Sequence, residues 1–181
     1  KTTGVELASG ETVLANKAVI ANVAPSALSV LTGGSGNRAY DTGLARFSHA
    51  PGTMMIHLAM AGLPDWTAGP ELQNFAYVHS APDMDQMAQT SAQAKAGLVP
   101  DQPVMDCGQP TAVDPSRAPD GKHVLWLQVR MAPGKIKGDA GGQIAATDWD
   151  DAAEPFANRA LDILERYAPG TRSKILGQHI V

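Results

Sequence analysis

"TMMIHLAM", Thr53 to Met60, alternates at every step. Met54, Ile56, Leu58 and Met60 fall on one side of an extended chain, and Met55, His57 and Ala59 on the other. Side chains of a strand point to opposite faces with a period of two, so this stretch predicts a strand with one face buried and one open. "NFAYVHS", Asn74 to Ser80, repeats the pattern with Phe75, Tyr77 and His79 on one side. "HVLWLQV", His123 to Val129, repeats it again: Val124, Trp126 and Gln128 one way, Leu125, Leu127 and Val129 the other. The last run, Ile175 to Val181, reads as a further strand.

Between these strands lie two helix patterns. The first runs over Pro82–Ala96: Ser80 suits a cap, Pro82 the first turn, and Asp83 and Asp85 the positive end of the dipole. Met84, Met87, Ala88 and Ser91 are its expected buried stripe, and Gly97 and Pro100 its stop. The second begins near Asp148–Asp151, where "DAAE" (Asp151–Glu154) has capping-box spacing. Pro155 fits only near its first turn. Phe156, Ala160, Ile163, Leu164 and Tyr167 form its apolar face, and "APG" (Ala168–Gly170) ends it. "APDG", Ala118–Gly121, reads as a β-turn ahead of the third strand. Alternating strands with two amphipathic helices predict an α+β fold, an antiparallel-rich mixed sheet with helices packed on one face.

The opening has a different texture. Val5–Leu7 and Thr12–Leu14 flank a Ser9-Gly10 turn and predict a hairpin. "AVIANV", Ala18–Val23, is apolar throughout, as in a strand covered on both faces, and stops at Pro25. Residues Ser26 to Asp41 show no regular pattern, and "LTGGSGN" (Leu31–Asn37) is a glycine-rich loop. A boundary is expected there, giving one segment over 1–30 and a larger domain over 31–181.

The bulk composition removes several functions. The chain has 181 residues, 14 Lys+Arg against 18 Asp+Glu, a net charge of -4 and no basic cluster, which argues against nucleic acid as a partner. No apolar run approaches the ~18 residues of a spanning helix. The only cysteine, Cys107, can form no internal disulfide and fits a reducing compartment. A cytoplasmic location is expected, with contact at a membrane periphery left open.

Chemistry is sparse. "GGSG" (Gly33–Gly36) lacks the spacing and the strand–turn–helix setting of a phosphate loop, and no nucleophile elbow exists. His49, His57, His79, His123 and His179 show no metal-binding spacing, so no metal is expected. Cys107 reads as a small buried hydrophobe and the seven methionines mainly as core. The carboxylates of "DWDD" (Asp148–Asp151) suit a helix N-terminus better than a cation. His57 stands out, since it sits mid-strand among methionines, as either a cavity-lining or a packed core residue.

"GVELASGETVLANKAVIANVAP" (Gly4–Pro25), "VHSAPDMDQM", "AGLVPDQPV", "DPSRAPDGKHVLWL" (Asp114–Leu127) and "ERYAPG" together resemble phytoene dehydrogenase/desaturase-like FAD-dependent oxidoreductases. They are most similar to the bacterial branch that includes relatives of the animal pyridine nucleotide-disulfide oxidoreductase domain protein 2. The resemblance runs over nearly the whole chain and is most specific at Asp114–Leu127. It implies an internal fragment: residues 1–30 as a remnant of an FAD-binding α/β domain (hairpin and return strand), and 31–181 as the substrate-binding domain. The family's GxGxxG and its C-terminal flavin-contacting segment are absent from these residues. The parent would pass a hydride from a C–C or C–N bond of an apolar substrate, isoprenoids included, to flavin. FAD is the implied cofactor of the parent and is not expected to stay bound to this fragment, which would be inactive alone. Ala21, Asn22 and Val23 would approach the cofactor; Met55, His57, Tyr77 and Trp126 would line the substrate cavity; no residue is an evident catalytic acid or base. Its partners would be that substrate and the rest of its own FAD domain, with self-association through the opening strand as a further expectation. The rival reading is a non-enzymatic binding or oligomerisation module, marked by a flat apolar patch instead of a pocket lined by Met and aromatic residues.

Overall fold

The computed structural model describes residues 2–181, which divide into two compact units meeting at His49 and Ala50. In the first unit, β1 (Gly4–Glu6) and β2 (Thr12–Leu14) form the antiparallel hairpin, with Val5 opposite Val13. Gly10, at φ 85°, takes the left-handed position of the turn, which glycine adopts without a Cβ penalty. The expected strand over Ala18–Val23 is not formed. The stretch has no ladder partner among the described residues, and Ile20 is 93% exposed. An apolar run becomes a covered strand only with neighbours on both sides, and the two strands described in this unit already pair with each other. Ser26–Asp41 is more regular than its sequence suggests. Helix α1 (Pro25–Thr32) starts on a proline, whose fixed φ and missing N–H suit the first turn. Helix α2 (Arg38–Ala45) is capped by the Asn37 side chain, which accepts from the Ala39 and Tyr40 N–H groups. Gly33–Gly36 is therefore a helix-to-helix connection, with Gly33 the left-handed C-cap of α1.

The second unit carries the predicted α+β layer. Its strands are β3 (Gly52–Met60), β4 (Tyr77–Ser80), β5 (Leu98–Val99), β6 (Met105–Gly108), β7 (His123–Ala132), β8 (Gly138–Asp139) and β9 (Ile175–Ile180). Five of them form one sheet in the order β4-β6-β7-β3-β9, with every neighbouring pair antiparallel. β5 and β8 form a small parallel pair beside it. Alternation holds in both long strands: Met54, Ile56, Leu58 and Met60 are buried, as are Leu125, Leu127 and Val129. At Met131, φ is 63° and the β3–β7 register slips, a bulge that ends the regular ladder.

Helix α4 (Trp149–Tyr167) covers the buried face with Phe156, Ala157, Ala160, Leu161 and Leu164, and this is the core. Its cap is Asp148, whose side chain accepts from the Asp151 N–H, so the capping-box reading of Asp151–Glu154 is displaced by one turn. Pro155 consequently lies beyond the first turn, on the exposed side, where water can satisfy the carbonyl that loses its donor. Helix α3 (Met84–Ala96) is capped by Asp83, not Ser80, which remains the last residue of β4. Its rotation also differs from expectation: Thr90 and Ala94 are buried, while Met84 and Met87 are exposed. Polar tethers set that rotation. Gln86 and Thr90 both donate to the Gln102 carbonyl, and Gln93 donates to Asp101. The β-turn before β7 closes one residue later than read, with the Lys122 N–H donating to the Pro119 carbonyl and Gly121 at φ 68°.

Candidate functional site

The sheet's second face is open. Strand register places Tyr77, Gly108, Trp126, His57 and His179 directly opposite one another on β4, β6, β7, β3 and β9, a row running across the whole sheet. A second row, one pleat away, holds His79, Asp106, Gln128 and Met55. Directly opposed residues bring their Cβ atoms to about 5 Å, so the second row is a continuous strip of side chains, and in the first the Trp126 indole fills the gap at Gly108. Met55, His57, Tyr77 and Trp126, which the family resemblance places along a substrate cavity, thus share one face. His57 is exposed there, so its core-packing reading is set aside.

The aromatic end of the row depends on a glycine. The Trp126 indole lies over Gly108 and meets the Tyr77 ring edge-on at 5.4 Å between centroids. A methyl group on Gly108 would sit 2.0 Å from Trp126 Cε2. The next residue, Gln109, is fully buried and holds the strand's approach: it donates to the Leu72 and Phe75 carbonyls and accepts from Trp66 Nε1. That staple fixes the segment from which Tyr77 projects. Beside the pair lies a cavity of about 340 Å³ lined by Ala76, Tyr77, Pro110, Val113, Asp114, Arg117 and Trp126. Gly108→Ala is expected to expel the indole from its seat, cost about 1–3 kcal/mol as overpacking does, and remove the near-UV dichroism of the Tyr77–Trp126 pair. An unchanged near-UV spectrum would count against this geometry.

The second row contains a cluster that alternation alone does not reveal. His79 Nδ1 is 2.5 Å from Asp106 Oδ1, and Arg130 places Nε and a terminal nitrogen each 2.9 Å from Asp106 Oδ2. Burial pushes the Asp106 carboxyl up, but the hydrogen bonds from His79 and Arg130 outweigh it and hold the carboxyl below its usual range. The only sequence signal was the placement of His79 on the same side as Tyr77.

Cys107 points into the core between these rows' strands, completely buried, with its sulfur 3.9 Å from the Ser80 hydroxyl. Burial pushes its thiol up to about 12, which leaves it without nucleophilic thiolate. Ala21, Asn22 and Val23 are exposed in the extended stretch before α1. No strand–glycine loop–helix suited to a pyrophosphate occurs among the described residues. No described helix is long and apolar enough to cross a membrane, and no described His, Cys, Asp and Glu residues cluster as metal ligands.

Comparison with known proteins adds to this geometry. No family model matches the chain. Over 135 residues, 70% of the chain, it is 29% identical to the rat pyridine nucleotide-disulfide oxidoreductase domain-containing protein 2 and 27% identical to the mouse protein of that name. The matched region is 22% of each relative, so the chain spans about a fifth of their length. This distant similarity supports a relationship to that oxidoreductase family.

Proposed function

We propose that the chain is the substrate-binding portion of a longer FAD-dependent oxidoreductase acting on an apolar substrate, isoprenoids included. The observation that carries this reading is the strip Tyr77–Gly108–Trp126–His57, in which the indole seats on a glycine and meets the Tyr77 ring edge-on, on an otherwise open sheet face. Such a strip stacks an extended apolar molecule along its length, and Met55 adds a polarizable, adaptable side chain beside it. Bound flavin would accept the hydride from a C–C or C–N bond. The chain's own part is to hold the substrate against the strip and to keep water from its reacting bond. Ala21, Asn22 and Val23 would meet the cofactor.

Two measurements test this. The chain mixed with FAD and desalted is expected to lose the visible flavin bands; stoichiometric retained flavin would overturn the assignment to the substrate-binding portion alone. A C20 isoprenoid alcohol is expected to quench Trp fluorescence in the chain, with the quenching lost in Trp126→Phe. No quenching, together with concentration-dependent dimerisation that Trp126→Phe abolishes, would favour the interaction-module reading.

A further inference from the structure

We propose that His79, oriented by Asp106, is the proton acceptor of the open face, and that the ligand it serves carries a hydroxyl or amine N–H beside its apolar body. The inference rests on the reading of that face as a substrate wall and adds the ligand's polar group to it.

The two Arg130 nitrogens on Asp106 Oδ2 keep this carboxyl an anion, and an anion only accepts hydrogen bonds. His79 Nδ1 must therefore donate to Oδ1, and the proton of the neutral ring lies on Nδ1. Nε2 is left with its lone pair. A carboxylate that fixes the tautomer and rotation of an imidazole is the arrangement by which a histidine base is made ready. The Asp106 side chain is 15% exposed, whereas His79 is 76% exposed, so the orienting group is sheltered and the accepting atom is free. His57 and His179 stand on the same face without a carboxylate partner among the described residues, so His79 is singled out.

Position supplies the rest. Tyr77 is two residues from His79 on the same side of β4, one pleat away, and Trp126 meets the Tyr77 ring edge-on. A molecule whose apolar body lies along Tyr77 and Trp126 presents its next atoms to His79. In the proton transfer, the ligand's O–H or N–H bond breaks, its electron pair stays on oxygen or nitrogen, and the proton bonds to Nε2. The resulting imidazolium faces the Asp106 anion. A purely hydrocarbon ligand would leave this dyad without a partner.

The test uses phenol and anisole, which share a ring and differ in the donor proton, with ¹⁵N-resolved spectra of the chain at mildly alkaline pH. In the free chain, His79 is expected to show Nδ1 protonated and Nε2 bare, and Asp106→Ala to lose that preference. Both probes are expected to shift the Trp126 indole resonance. Only phenol is expected to shift His79 Nε2, and to bind about fivefold tighter than anisole, the worth of one hydrogen bond. In Asp106→Ala, with the Trp126 signal showing an intact fold, that advantage is expected to vanish. A proton on Nε2 in the free chain, or equal effects of both probes on His79, would overturn the proposal while leaving the wall reading standing. Failure of both probes to move Trp126 would overturn the wall reading and this proposal with it.

Discussion

Arg159→Ala is expected to cost the second unit about 3–5 kcal/mol, the usual penalty for stranding one member of a buried ion pair. Arg159 lies on α4 and its side chain is 10% exposed; Asp139, at the end of β8, is 2% exposed. The two guanidinium nitrogens meet the two carboxylate oxygens at 2.7 Å each, and one also donates to the Pro100 carbonyl. The Asp139 carboxylate further accepts from the backbone N–H groups of Gly141, Gln143 and Ile144. One ion pair therefore ties α4 to the β5–β8 pair and to the loop that precedes α4. Its loss leaves a buried carboxylate with only backbone donors, in a domain whose whole stability is of order 5–15 kcal/mol. Thermal unfolding should fall by roughly 10 °C or more; a fall of a degree or two would show that water reaches the pair and that the staple is weak.

The same pair fixes an acid dependence. Burial pushes the Asp139 carboxyl up, but the Arg159 guanidinium and the three backbone N–H groups outweigh it and hold the carboxyl far below the usual carboxylate range. A depressed carboxyl contributes stability that is complete above the unfolded value, near 4, and drains away as pH falls through the acid range. Stability measured by denaturant at falling pH should therefore drop more steeply in the parent chain than in Arg159→Ala, where the depression is largely gone. Parallel curves would mean that other carboxylates carry the acid transition.

How much of this was legible beforehand varies with the distance over which each feature is decided. Strand alternation is local, so the two faces of β3 and β7 could be read from Thr53–Met60 and His123–Val129. Alternation also separated Met55 and His57 from the other side of β3, and Trp126 from the other side of β7, but which side faces outward is decided by where α4 packs. That they fall into rows depends on the order β4-β6-β7-β3-β9, which no single strand encodes. Gly108 looks like the start of a turn in "MDCGQP" until β7 lays an indole on it. Asp106 meets His79 across 27 residues and Arg130 across 24, and nothing in spacing announces either contact. Helix α3 failed differently. Its methionines suggested a buried stripe, but the Gln86 and Thr90 bonds to Gln102 outvoted a weak apolar pattern and turned Met84 and Met87 to solvent.

Phe156→Ala is expected to lower the stability of the second unit by about 3–5 kcal/mol, as removal of a buried aromatic does. Phe156 is fully buried, and it is the largest such side chain on α4. Its ring lies 5.7 Å from that of Trp149, and the helix sets it into the core formed by the inward residues of β3, β6 and β7. Close packing leaves no flexible neighbour to fill the space, so both the transfer term and the cavity term are felt. The substitution also separates the two faces of the sheet. The inward face needs α4, whereas the outward strip of Tyr77, Trp126 and His57 is positioned by strand register, by the seat at Gly108 and by the Gln109 staple. Below its lowered melting point the variant should therefore keep the parent's near-UV signal from Tyr77–Trp126 and its phenol-over-anisole preference. Loss of both at a temperature where far-UV dichroism is unchanged would show that α4 packing, and not register alone, holds the open face in shape. The face would then be loosened by any weakening of the core beneath it, and the His79 dyad would lose its fixed tautomer along with the aromatic pair.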